Sequence, residues 1–147
     1  MGLYNSFQTS PKLEKEGVWR DFGHCRVRVA RQGGSNQKFN SHMERISKQH
    51  QRAIAQDLLG NARALVILET AYAETIITAW ETNTGTEDEP VWVSGIENPD
   101  GGELLPFNAE NVKRTLHALP DLFQEIQEVA KGLQFYRQSL IDDAAGN

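Results

Sequence analysis

The chain has 147 residues, 39% of them hydrophobic and 24% charged, which is the size and make-up of one ordinary globular domain and not of a disordered or fibrous chain. Its start, MGLYNSFQTSPKLEKEG, lacks the basic-then-apolar pattern of a signal peptide, and no stretch reaches the roughly 18 apolar residues of a membrane span. The lone cysteine, Cys25, has no partner for an internal disulfide and points to a reducing compartment.

The net charge of −5 conceals an asymmetry. Residues 20–52 carry eight Lys/Arg against Asp21 and Glu44, whereas residues 53–147 carry five bases against sixteen acids. Either the basic part meets an acidic partner or nucleic acid, or the two parts attract each other within one fold or oligomer. No nucleic-acid motif and no aromatic interleaving accompanies the bases, which favours the second reading.

In chain order, residues 1–17 read as irregular, with at most a helical turn in KLEKE. Two strands follow at about 18–22 and 25–30 around Gly23; Cys25, Val27 and Val29 alternate with Arg26 and Arg28, leaving the arginines solvated. Ser35 or Asn36 caps a helix whose Phe39, Met43, Ile46 and His50 recur at helical spacing. NARALVILETAYAETIITAWE, opening after Gly60, reads as a central helix with Leu65, Leu68, Tyr72, Ile76 and Ala79 on one side. Glu69 lies inside that apolar face, where pairing with an arginine of the same fold is the simplest fate. Residues 82–107 read as an acidic loop and a second hairpin, VWVSGI and ELLPF around NPDGG, with Trp92 either a partner contact or part of the core.

The stretch LLPFNAENVKRTLHALPDLFQEIQEVA is the best punctuated. Asn108 is an N-cap, Phe107 and Val112 have hydrophobic-staple spacing, and Pro120 suits the first position of a further helix meeting the previous one at a corner. That last helix, about 120–141, carries Leu122, Ile126, Val129, Leu133, Tyr136 and Leu140 in a seam that Gly132 weakens. The tail 142–147 and residues 1–17 read as loosely ordered. The expected fold is α+β and mainly α-helical, a single domain over 1–147 with four or five helices and one or two small antiparallel hairpins.

Catalytic and metal signatures are missing. His24, His42, His50, His117 and Cys25 have no zinc-type spacing, and no nucleophile elbow, phosphate loop, dinucleotide fingerprint or HExxH occurs. The expectation is a binding or assembly protein, not an enzyme, with no cofactor.

Four fragments, LYNSFQTSPKLEKEGVWRDFG, VRVARQGGSNQKFN, AYAETIITAWE and LPFNAENVKRTLHALPDLFQEIQEVA, resemble in the same order the tail assembly chaperones of long-tailed bacteriophages. Residues 86–103 are longer than the compact turn such a protein would place before LPF. The resemblance implies a non-enzymatic protein of the host cell cytoplasm that binds the long helical tape measure protein, keeps it soluble, helps tail tube subunits assemble around it, and is absent from the finished virion. It supplies no catalytic residues. The physical reading adds an expected partner-facing set, Phe123, Leu133, Tyr136 and Leu140 with Phe107 and Trp92, and self-association through an exposed seam when the partner is missing. The competing readings are a minor tail or head-tail connector protein retained in the particle and a nucleic-acid-binding regulator.

Overall fold

Val27 and Val29 are buried while Arg26 and Arg28 point to the opposite face, as period-two alternation demands of the strand Cys25–Val29 (β2). A computed structural model describes residues 2–56 and 60–146. In it β2 pairs antiparallel with Val18–Asp21 (β1) on one side and Ile77–Asn83 (β3) on the other; Trp92–Ser94 (β4) closes the order β1-β2-β3-β4. The expected separate hairpins are therefore replaced by one four-stranded sheet. VWVSGI pairs with β3, and its expected partner ELLPF contributes only the single bridge Ile96–Leu105.

Eight α-helices are present among the described residues, not four or five. The start read as irregular holds Leu3–Phe7 (α1) and Pro11–Glu16 (α2), the latter capped by Ser10, whose hydroxyl accepts from the Leu13 N–H at 3.2 Å. Gln37–Gln49 (α3) and Gln51–Ala55 (α4) follow, then Asn61–Thr75 (α5), Ala109–Ala118 (α6), Pro120–Lys131 (α7) and Gln138–Gly146 (α8). The tail from 142 thus lies in α8 as far as Gly146, while Asn147 falls outside the described residues.

Two of the expected helices are shorter than their apolar patterns. The central one stops at Thr75, and ITAWETN continues as β3. Thr75, Ile76, Ile77 and Thr78 are β-branched in succession, which restricts side-chain freedom in a helix and suits a pleated surface. The last expected helix stops at Lys131; Gly132 is extended, Leu133–Phe135 form a 3-10 turn, and α8 begins afresh. A Cβ at Gly132 would stand 2.8 Å from the Phe135 ring, so the missing side chain is what lets that turn fold back.

The helices α5, α6 and α7 form a layer over one face of the sheet, with α3 beside α5. Tyr72 sits at its centre, fully buried, meeting the Phe39 and Phe123 rings edge-on with centroids 5.8 and 5.1 Å away, so α3, α5 and α7 converge on one side chain. Its hydroxyl donates to the Gln32 side chain. Tyr136, also fully buried, donates to the Val29 carbonyl at 3.0 Å and fastens the C-terminal region to β2.

The opposing charges meet inside this one chain. Arg26 binds Glu81 through Nε at 2.8 Å, and Arg20 reaches Glu125 at 3.4 Å. The latter pair is about half exposed on both sides and is worth about 0.2–1 kcal/mol, too little to hold the fold together.

Glu14 is a different case. It is 2% exposed, accepts from Arg31 at 2.5 Å and from the Ser35 N–H at 3.3 Å, and so clamps α2 onto the exit of β2. Nearby Gly17 has φ +103°, and a Cβ there would lie 2.8 Å from the Val29 backbone, so glycine is what allows α2 to enter β1 at this close approach. Burial alone would raise the Glu14 carboxyl, but the hydrogen bonds from Arg31 and Ser35 and the Arg31 charge hold it below its ordinary value. Glu14→Gln is expected to cost about 1–3 kcal/mol at neutral pH by leaving charged donors poorly matched. Because the folded pKa is depressed, this advantage is complete above the ordinary value of 4.5 and disappears as pH falls from there through the folded value. Urea midpoints of wild type and Glu14→Gln should converge below that pH; a gap that stays constant into acid would contradict the clamp.

Candidate functional site

The apolar residues of α6 recur at 112, 116 and 119, and those of α7 continue at 122 and 126, so one stripe turns the corner at Pro120 and faces the sheet. Asn108 fixes the start of α6, its side chain accepting from the Asn111 N–H at 2.8 Å as an N-cap does. Beneath the corner, the inner face of the sheet presents Cys25 and Val27 from β2 and Ile77, Trp80 and Thr82 from β3. The helices do not fill the space above them.

What remains is an open groove of about 430 Å³. One wall is the sheet, the other is Val112, Leu116, Leu119, Leu122 and Ile126, and the bridged residues Ile96 and Leu105 also line it. Charge is confined to its margin: His24, Glu97 and Arg114, the last held by Asp100 at 2.6 Å. Leu119, at the corner, is 51% exposed. An apolar concavity with a charged margin suits a hydrophobic helix or side-chain cluster rather than a polar substrate. The Nε1 of Trp80 is buried and without a hydrogen-bond partner among the described residues, a polar cost carried by the groove wall.

The other face of the sheet carries a stack of its own side chains. The Arg26 guanidinium lies between the Trp19 and Trp92 rings, 4.2 Å from each centroid, while Glu81 binds its edge. Arg28 is likewise occupied, donating to Thr78 at 2.8 Å. Of the two arginines expected to be solvated, Arg26 is thus stacked and paired with Glu81, while Arg28 is held by a neutral hydroxyl and lies 5.6 Å from the Trp19 ring centroid.

None of the six expected partner-facing residues lines the groove. Phe123 is 3% exposed against Tyr72, and Tyr136 is fully buried, its phenol pushed up by burial, so both belong to the core. Phe107 is half-buried and meets Trp80 edge-on at 5.8 Å; Trp92 is half-buried over Arg26; Leu133 is half-buried in the 3-10 turn; Leu140 is 47% exposed on α8. The groove takes the positions beside Phe123, namely Leu122 and Ile126, with Leu116 and Leu119 before them. Glu69 is 2% exposed and pairs with His117 Nδ1 at 3.0 Å, not with an arginine.

Cys25 places a single reactive atom type in the groove. Burial, joined by the charges of Asp21 and Glu97, pushes its thiol above the ordinary value, so little thiolate exists near neutral pH. Alkylation by iodoacetamide, followed by mass spectrometry, should be slower at pH 7 than for a free cysteine peptide and should accelerate with pH later than the peptide does. Equal rates across the series would place the thiol outside an apolar groove.

Among the described residues, no helix is long and apolar enough to cross a membrane. No curated protein and no solved structure matches the chain. Residues 34–147, well over half of the chain, match the sequence pattern of the YdaY prophage protein family, and the protein belongs to that family.

Proposed function

We propose that the protein is a tail assembly chaperone of its prophage, a non-enzymatic protein that binds and solubilises the tape measure protein and promotes tail tube assembly around it. The observation that carries this reading is the open apolar groove between the sheet and the corner of α6 and α7. A tape measure segment made before its tube exists exposes apolar helical stripes, which aggregate unless covered. A groove about 430 Å³ in volume, apolar within and charged only at its margin, is suited to cover such a stripe while the acidic remainder of the chain keeps the complex in solution. The ordered resemblance of four fragments and the prophage family are consistent with it.

On this reading the protein works in the host cell cytoplasm, needs no cofactor and leaves before the virion is complete. Mass spectrometry of purified particles separates it from a minor tail or connector protein, which would be retained at stoichiometric amounts.

Co-expression with the tape measure protein of the same prophage, followed by affinity purification, is the test. A soluble complex with several copies of the chain per tape measure protein is expected, and Leu122→Asp should reduce recovery by an order of magnitude or more, since a carboxylate would be buried without a partner. Recovery of the chain alone, with the tape measure protein insoluble, would overturn the proposal.

A further inference from the structure

Residues 60–66 are all exposed, so the first turns of α5 stand clear of the core, whose first fully buried member on this helix is Glu69. Ala62, Arg63 and Val66 share one side at helical spacing with Leu65 beside them, and Leu65 and Val66 are 43% and 41% exposed. The surroundings are positive. From Arg45 to Leu68 the sequence has four Lys/Arg, at 45, 48, 52 and 63, against the single acid Asp57. No side chain caps the start of α5 and no acid stands in its first turn, so the positive end of the helix adds to Arg63. Neither Arg52 nor Arg63 forms an ion pair among the described residues.

The turn between β3 and β4 has the opposite sign. From Thr84 to Glu103 there are six acids and no Lys or Arg. Glu87, Asp88 and Glu89 are consecutive and exposed at its tip, and Val91 beside them is 54% exposed. Asn83 holds the tip in one shape: its Oδ1 accepts from the Gly85 and Val91 N–H groups, both at 2.9 Å, and its Nδ2 donates to the Thr86 carbonyl at 3.0 Å. These three acids form no ion pair among the described residues either. Within one chain the two charged surfaces leave each other unpaired.

We propose that the basic start of α5 in one copy docks on the acidic β3–β4 turn of a second copy, with Leu65 and Val66 against Val91. Charge complementarity selects this occupant, since each surface carries the charge that the other lacks and an exposed aliphatic group beside it. The two surfaces differ, so the contact is heterologous and leaves one of each free for further copies, giving a ring or an open chain. Exposed ion pairs are individually weak and screened by salt, so the association is exchangeable and depends on ionic strength. None of these residues lines the apolar groove, so the contact leaves it open and does not depend on the tape measure reading.

Sedimentation velocity over a concentration series tests the contact on the full chain. At an ionic strength of about 0.01 M the wild type is expected to rise above its monomer mass of 16.5 kDa, and at about 1 M, where charges are screened beyond about 3 Å, to return to it. Arg52→Glu/Arg63→Glu and Glu87→Lys/Asp88→Lys/Glu89→Lys should each be monomeric at the lower salt, because each then presents like charges to its own kind. All five positions are exposed, and Glu at 63 falls in the first turn of α5, where an acid is favoured, so both proteins should keep the wild-type circular dichroism. An equal mixture of the two restores opposite charges at both contacts and should associate as the wild type does. A control with the same change of charge elsewhere on the surface, Glu16→Lys/Glu110→Lys/Glu128→Lys, should associate on its own. A wild type that stays monomeric, association indifferent to salt, a charge-reversed variant that still associates, a monomeric control, or a mixture of the two folded variants that stays monomeric would each overturn the proposal.

Discussion

The change from helix to strand at Ile76 is the constraint on which the rest of the molecule depends. The Ile76 carbonyl accepts from the Ala30 N–H at 2.7 Å, which stops α5 beside the end of β2 and commits the following residues to the middle of the sheet. Asn36 reinforces the junction, its side-chain amide donating to the Arg31 carbonyl at 2.8 Å and the Thr75 carbonyl at 3.2 Å. Were α5 to continue, β4 would have no neighbour and the groove would have no floor, because Ile77, Trp80 and Thr82 supply it.

A bulge then decides which side chains face inward. Val29 pairs with Ile77 and Arg28 with Ala79, so Thr78 is the extra residue, and its hydroxyl donates to the Glu16 carbonyl at 2.7 Å. Without it, residues 77 and 80 would point to opposite faces; with it, both point under the helices. The consequence is a two-sided sheet. One side is apolar and incompletely covered by the α6–α7 corner, while the other carries the stack of Trp19, Arg26 and Trp92. The open apolar groove thereby lies on a single face of the sheet.

The same bulge explains why part of the fold could not be read from the sequence. Ile76 and Trp80, four residues apart and preceded by Tyr72 and Leu68 at the same spacing, extend a helical period across a boundary that only tertiary pairing reveals. Local chemistry was legible where it is self-contained: the alternation of β2, the Asn108 cap and Pro120 at the first position of α7. Gly132 was visible as a weakness in the seam but not as its end, since a break there depends on Phe135 folding back. For the site, the stripes of α6 and α7 were legible, yet the choice between Phe123 and its neighbour Leu122 was not. Both are apolar, and only the position of Tyr72 assigns one to the core and the other to the groove.

An apolar groove built in this way makes the central claim open to direct observation by methyl NMR, for which a chain of 16.5 kDa is well suited. Titrating the protein with apolar helical segments of the tape measure protein should shift the methyl resonances of Ile77, Ile96, Leu116, Leu119 and Leu122, and leave Val91 and Leu65 unmoved. Shifts confined to Val91 and Leu65, or no shifts at saturating peptide, would contradict the account that this groove is where the protein meets its partner.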